Sequence, residues 1–596
     1  MDLVALLGAT TAIFSALDET DLRSLAGELE WVQVPGGEIL IQQGDPGDSM
    51  FIVISGRFRV SVELESGEED VLGEIGRGEL VGEMAILTGE PRFATVRAIR
   101  DSGLVKLSKE AFERIVPKNP KAAMLIARRL VNRLKSQAHA KTLRTLSTVG
   151  VIAASPDAPL GDFSTRLAAA LGKQGPTLHV NSSSLDSQFG MGSAKATSDV
   201  TKSRIGAWLD QQEAQFKYVI YEADPAPSLW TELCIRQADR LLMVADAAAE
   251  PSAGPAQSLS LAHASAQREL ILLHTDRTRR PSNTRRWLDS GQVATHHHLG
   301  ATTPADYDRL ARLLTGQAVG LTLGGGGARG LAHIGVIRAF QEAGIPIDMI
   351  GGTSMGAVIA GQYAMGYDFH NMVEMNRKGW IKMDPLKDKT LPVVALLSGK
   401  KLDRMLAMMF DDARIEDLWI KFFCVSVNLT QAETVVNNFG SLKSAIRASA
   451  GIPAVAPALC DRGDLIVDGG VLNNLPADVM LTLSGGKVIA VDVSPQRDLV
   501  VDPNCRELPS SWRILWSRIN PWAEPLNVPT ILAIIMRTLM LSSVHSSHLV
   551  MKHVDLAIRP PVDSFGIFDW HLLDKIVDAG YQCARKELED WQAGQH

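Results

Sequence analysis

The stretch from Val319 to Gly356 constrains this chain more than any other. Two short apolar runs, VGLTL and IDMIG, each pass through a glycine-rich turn into a helix-patterned segment. Two strand–turn–helix units in succession are the mark of an α/β layer. The second turn reads Gly352-Thr353-Ser354-Met355-Gly356. It matches Gly-x-Ser-x-Gly, in which a sharp strand-to-helix turn lifts one hydroxyl out of the sheet toward a substrate. Ser354 is therefore the candidate nucleophile, and Gly352 and Gly356 sit where side chains would collide with the neighbouring strand and helix. The first turn offers what a serine nucleophile needs beside it. Gly325, Gly326 and Gly327 carry no side chains, so their backbone N–H groups can converge on an oxyanion at a helix start. Arg329 and Gly330 complete that loop, with Arg329 bracing it or holding a carboxylate elsewhere.

A base is still required, and no Ser/His/Asp spacing stands out. DLIVDGGVLNNLP places Asp468 at the end of an apolar strand, directly before Gly469 and Gly470. In that order, Gly-Gly-Gly-x-Arg-Gly (Gly325 to Gly330), Gly-x-Ser-x-Gly and Asp-Gly-Gly, the chain resembles the patatin-like phospholipases, which use a Ser–Asp dyad without a catalytic histidine. The resemblance implies Ser354 as nucleophile, Asp468 as base and the Gly325 to Gly327 backbone as oxyanion hole, with no cofactor and no metal for catalysis. Gly325-x-Gly327-x-x-Gly330 also fits a dinucleotide fingerprint, which expects an acidic residue at the end of the second strand. Asp348 lies at that strand's beginning, which disfavours the fingerprint. His333, early in the helix after the loop, reads as a packed structural histidine.

At 596 residues the chain exceeds one core and should hold three or four domains. A net charge of −7 argues against a nucleic-acid partner. Five scattered cysteines, never in a C-x-x-C spacing, suit a reducing compartment and give no zinc site. The N-terminus lacks a basic region ahead of its apolar part, so it reads as short helices rather than a signal peptide. No apolar run reaches the length of a membrane span. The expected location is cytoplasmic, with peripheral contact to a membrane left open.

From about Glu30 to Lys109, short strands punctuated by glycine suggest a β-roll. Gly82-Glu83-Met84-Ala85 followed by Arg92-Phe93-Ala94-Thr95 resembles the phosphate-binding cassette of cyclic-nucleotide-binding domains. The resemblance implies that Glu83 meets a ribose and Arg92 a phosphate, with Gly82, Ala94 and Thr95 completing the cassette and a cyclic nucleotide as effector. Phe93 replaces a small residue of the pattern, and either crowds the phosphate or swings outward. Next come VGVIAA, TLHVN, KYVIYEAD, RLLMVAD and ELILLH, strands of a parallel α/β domain. Its first turn, SPDAPLGDFS, has one glycine and no lysine, so the domain is read as degenerate and catalytically silent, as in relatives of neuropathy target esterase. Asp224 has no phosphate to serve there. His296, His297 and His298 end the last strand rather than bind metal.

After Asp468, GGKVIAVDVS reads as one more parallel strand. PTILAIIMRTLMLSSV reads as a buried helix or a substrate-channel wall first and an interfacial segment second, and the acidic helix near Trp570 to Trp591 is expected to pack on the surface. Trp512, Trp516 and Trp522 alternate with arginines, as an interfacial segment or a core would. The expected fold class is multidomain α/β and β: an N-terminal β-roll, a degenerate parallel α/β domain and a patatin-like α/β hydrolase domain. The expected divisions are 1–145, 146–316, 317–500 and a helical extension, 501–596. The expected function is hydrolysis of acyl esters of glycerophospholipids or lysophospholipids; the competing class is an inactive nucleotide-responsive scaffold.

Overall fold

The computed structural model describes residues 27–64, 69–115, 146–195, 199–251, 266–290, 293–495 and 531–593, with Met124, Ser510 and Trp516 alone between them. The chain divides into two compact units, Gln317–His596 with Arg280–Ser282 in one and the remainder in the other.

The first unit opens with two four-stranded antiparallel sheets. One is ordered Glu30–Val34, Ser102–Ser108, Ser49–Ser55, Leu80–Val81, and the other Ile39–Ile41, Thr95–Ala98, Phe58–Glu63, Glu69–Ile75. Alternation along these strands turns Val53, Phe58, Ala98 and Leu104 inward to a shared core.

A six-stranded parallel sheet follows, ordered Thr177–Val180, Tyr218–Glu222, Thr148–Ala153, Arg240–Asp246, Gln267–His274, Thr295–Gly300. Its near-continuous apolar runs are buried because helices cover both faces. Leu160–Gly172 and Pro304–Leu314 lie on one face and Leu229–Arg236 on the other. At the turn after the first strand, Pro159 starts the helix and no lysine follows. Asp224 accepts a hydrogen bond from Ser228 Oγ (2.6 Å), the residue that caps the next helix. The histidine run forms the edge strand itself, with His297 Nε2 on Glu269 (2.8 Å) and His298 Nδ1 against His274 Nε2 (2.9 Å).

A buried ionic cluster joins the roll to this α/β domain. Asp239 receives Arg100 Nε at 2.9 Å and Arg57 Nε at 3.1 Å from the roll, and its other oxygen accepts the N–H groups of Ser147 and Thr148. Burial pushes the Asp239 carboxyl up, but the two guanidinium groups and the N–H donors outweigh it and hold the carboxyl below its usual value. Arg100 also forks onto both oxygens of Glu213 at 2.8 Å. Asp239→Asn leaves two buried cations short of a counter-charge, so a loss of about 3–5 kcal/mol in unfolding free energy is expected. Denaturant titration followed by tryptophan emission checks this, and a loss under about 1 kcal/mol would show the cluster to be solvated.

The second unit is built on a mixed sheet ordered Leu459–Asp461, Asp464–Asp468, Lys421–Asn428, Met349–Thr353, Val319–Leu323, Lys487–Val491, Leu556–Ile558, with Glu433–Asn437 also paired to Lys421–Asn428. The five strands from Lys421–Asn428 to Leu556–Ile558 run parallel. Two findings differ from the sequence reading of the C-terminal region. The extension is not helical alone, because Leu556–Ile558 adds a sheet strand. The last helix, Leu573–Ala593, is seated more deeply than its acidic residues suggest: Leu573, Ile576, Val577, Gly580, Ala584 and Leu588 enter the core. It packs on the helix Ala332–Glu342 at backbone distance, since a Cβ on Gly335 would lie 2.0 Å from Val577 O and one on Gly580 2.0 Å from Ala332 O. Its acidic face is the outward half of an amphipathic helix. Among the described residues, no helix is long and apolar enough to cross a membrane.

Candidate active site

Ser354 stands between the strand Met349–Thr353 and the helix Met355–Ala364 with φ 55° and ψ −121°. A non-glycine residue holds such angles only when its surroundings enforce them. Here the enforcement is close packing. A Cβ on Gly352 would lie 2.5 Å from Leu323 O and one on Gly356 2.2 Å from the same atom, so strand and helix meet at the elbow without side chains between them. Ser354 N–H donates to Ser449 Oγ at 2.9 Å, and Ser449 Oγ donates to Val425 O at 2.6 Å, which fixes the turn to the adjacent strand.

The glycine loop lies alongside. Gly325 donates its N–H to Asn474 O at 3.1 Å, while Asn474 Nδ2 returns a bond to Gly325 O at 3.0 Å. That N–H is therefore engaged, which sets Gly325 apart from Gly326 and Gly327. Gly327 takes a left-handed φ of 57°, and a Cβ there would meet Ile567 O at 2.4 Å. Arg329 is buried and donates from Nε to Phe565 O at 2.6 Å, tying the loop to the chain ahead of the last helix. Gly330 leaves room for the side chain of Met355, 2.6 Å from where its Cβ would stand. His333 donates from Nε2 to Gly324 O at 2.8 Å, and burial pulls its pKa down to about 4, so the neutral ring props the loop from behind.

Asp468 closes the site from across the sheet. Its strand Asp464–Asp468 runs antiparallel to Lys421–Asn428, which brings it beside the elbow. Its carboxylate accepts the N–H of Gly470 at 2.8 Å and lines the same cavity as Ser354. Burial raises its pKa to about 6, and the Gly470 N–H and the Ser354 hydroxyl moderate the rise.

A cavity of about 130 Å³ opens over these groups. Its walls are mainly apolar, including Leu386, Leu397, Ile452 and Val455. Trp380 and Trp570 stack at 4.1 Å on another wall, and their Nε1 atoms, like Asn474 Oδ1, are buried without a protein hydrogen-bond partner. The helix Ile531–Val550 contributes Arg537 and Val544, in keeping with a channel wall.

Three family models match in succession: the cyclic nucleotide-binding domain over residues 31–119, the neuropathy target esterase family P-loop like domain over 145–305, and the patatin-like phospholipase over 321–481. Residues 321–481 therefore form a patatin-like phospholipase domain, set in the domain series that the three models match. Among its relatives, patatin-like phospholipase domain-containing protein 6 of Homo sapiens is 33% identical over 96% of this chain and 45% of that protein. Patatin-like phospholipase domain-containing protein 7 of Mus musculus is 34% identical over 96% and 46%. Lysophospholipase nte1 of Aspergillus fumigatus is 32% identical over 94% and 42%. The chain thus spans less than half the length of these relatives.

The segment from Gly82 to Ala94 lines a small cavity of its own. Gly82 precedes the short helix Glu83–Thr88 with φ 80°, and Glu83 at its start is buried. Arg92 is 6% exposed and turned inward, donating to Gly82 O at 2.9 Å and Ser49 O at 2.7 Å. Phe93 swings outward, at 59% exposed, leaving a small cavity lined by Gly82, Glu83, Arg92 and Ala94. Thr95 Oγ1 accepts from Gln43 N at 3.1 Å and so braces the turn. Ser449 and Asn474 were not singled out from sequence. Asn474 lies six residues past Asp468 in the same motif, and that was the one local signal for it. Of the tryptophan segment only Trp516 is described, and it is exposed; Trp512 and Trp522 lie outside the described residues.

Proposed function

We propose that this chain hydrolyses the acyl ester of a lysophospholipid or glycerophospholipid through a Ser354–Asp468 dyad. The observation that carries the reading is the buried Asp468 carboxyl, raised to about 6, which lines the same apolar cavity as the Ser354 elbow. Asp468 takes the Ser354 proton as Oγ attacks the ester carbonyl. The oxyanion is met by the N–H groups of Gly326 and Gly327, since Gly325 is engaged with Asn474. Asp468 then hands its proton to the leaving alcohol, and the acyl group stays on Ser354. Water attacks that ester, Asp468 accepts its proton, and fatty acid leaves with Ser354 restored. No step asks for a second base, and His333 faces Gly324 O instead.

The substrate class follows from the walls. Leu386, Leu397 and Val455 suit an acyl chain, whereas Arg537 suits the polar end of an amphiphile. Relatives named as phospholipase and lysophospholipase support the same reading. Fatty acid release from long-chain lysophosphatidylcholine by the purified chain tests it; labelling by a fluorophosphonate ester without release from any phospholipid would keep the dyad and refute the substrate. The divisions at residues 145, 316 and 500 are part of the same proposal.

We further propose a cyclic nucleotide as effector of the roll. Binding requires Arg92 to exchange its contacts with Gly82 O and Ser49 O for a phosphate, so weak binding is expected. Calorimetry with cyclic AMP and cyclic GMP should show saturable heat that Arg92→Ala removes, and no heat at millimolar nucleotide would make the roll a scaffold.

A further inference from the structure

Among the described residues of the hydrolase unit, a loop between Asp388 and Lys401 carries the most exposed apolar cluster. Leu391 is 82% exposed, Val393 87% and Val394 77%. Monomeric proteins seldom leave branched side chains so far out of contact side by side without a use for them. The loop is nonetheless built. Asp388 accepts Ser398 Oγ at 2.6 Å and Lys401 N at 2.9 Å across its base, and Thr390 N donates to Leu396 O at 3.1 Å. Val393 N donates to Leu391 O at 2.8 Å and turns the tip.

Its inner side is fastened to the active site. Leu396 N donates to Ala454 O and Leu397 N to Val455 O, and Leu397 and Val455 both line the catalytic cavity. An apolar surface therefore runs from the tip toward the place where the ester would be cut. Charge flanks it: between Lys382 and Lys401 the chain has five lysines and two aspartates. Lys387, Lys389 and Lys400 are exposed.

We propose that the 389–397 loop is the element that docks this hydrolase on an anionic lipid surface, its tip entering the acyl boundary and its lysines meeting the headgroups. The inference rests on the lipid-ester reading and names how that substrate reaches the cavity. An apolar tip supplies burial, a basic collar supplies attraction that salt weakens, and two such weak signals together give stable but reversible attachment. A substrate drawn from the surface can then enter along Leu397 without its chain crossing water.

The test uses the full chain carrying Ser354→Ala, so that binding is measured without turnover. Co-sedimentation with phosphatidylcholine vesicles should rise when phosphatidylglycerol is added and fall with salt. Leu391→Ser/Val393→Ser/Val394→Ser should weaken it by about tenfold or more. In the Ser354 background the same triple variant should lose turnover of vesicle-borne lysophospholipid to a similar extent while cleaving a short-chain soluble ester at the parent rate. Should the triple variant not fold, Val393→Trp should tighten vesicle binding severalfold, because an indole favours the headgroup boundary. Vesicle binding unchanged in either variant overturns the proposal. So does light scattering that shows a dimer in the parent and a monomer in the triple variant with vesicle affinity unaltered, since a second copy would then cover the tip. Intact, loop-dependent vesicle binding without fatty acid release strikes the substrate reading alone.

Discussion

Ser354→Ala is expected to lower ester hydrolysis by a factor of about 10⁴ or more and to abolish fluorophosphonate labelling, because Ser354 is the hydroxyl that Asp468 serves as base. The fold should survive, since alanine keeps the same Cβ in the same packing. Stability adds an independent readout. Ser354 is held at φ 55° and ψ −121°, a conformation in which any Cβ is strained. Ser354→Gly removes that Cβ, so the glycine variant, although equally inactive, should unfold at about 1–2 kcal/mol higher free energy than the alanine variant. Labelling that persists at another residue in both variants would move the nucleophile elsewhere. Equal stability of the two would mean the elbow is not under the strain its angles describe.

The elbow was legible in the sequence because its requirement is local. Two glycines, the serine hydroxyl and a strand-to-helix change lie within five residues, and no distant partner alters what they must do. The same holds for the inward strands of the roll, whose alternation is visible in Phe51, Val53, Phe58 and Val60. The environment of the elbow was not local. Ser449, which fixes the turn, is 95 residues from Ser354, and Asn474, which occupies the Gly325 N–H, is 149 from its loop. Nothing in the glycine triplet reveals that one of its donors is already engaged.

The last helix failed for a different reason. Its buried positions, Ile576, Val577, Gly580, Ala584 and Leu588, follow helical spacing, but five acidic against three basic residues pointed only to its outward face. What decided its place was a pair of glycines, Gly335 and Gly580, on helices 245 positions apart in the chain, each leaving room for the other's backbone. Arg329 belongs to the same long-range set, reaching Phe565 O across 236 positions. The site is thus specified locally in its reactive groups and remotely in the packing that holds them.

Asp468→Asn separates catalysis from stability most sharply. Asparagine can accept the Gly470 N–H as aspartate does, so the shape of the site is retained. It cannot accept a proton, and hydrolysis should fall by at least about 10², with the loss approaching that of Ser354→Ala if the dyad acts as a unit. In the parent protein, turnover should rise with pH through about 6, as the carboxylate forms, and then level off. Stability should move the opposite way. Burial raises the Asp468 carboxyl to about 6, so the folded state holds this proton more tightly than the unfolded chain, whose carboxyl titrates at about 4. The stabilisation from that proton is whole below about pH 4 and is lost as pH climbs through about 6. The substituted amide is neutral throughout and escapes the loss. Above about pH 7 the variant should therefore be more stable than its parent by up to about 3 kcal/mol, the equivalent of a shift of about two pH units, with the gap closing toward pH 4. Thermal and denaturant unfolding at several pH values measures this directly. A variant destabilised by the same amount at every pH would show that the carboxylate is held by its hydrogen bonds and not strained by burial. In that case Asp468 would be too weak a base to serve Ser354 without help.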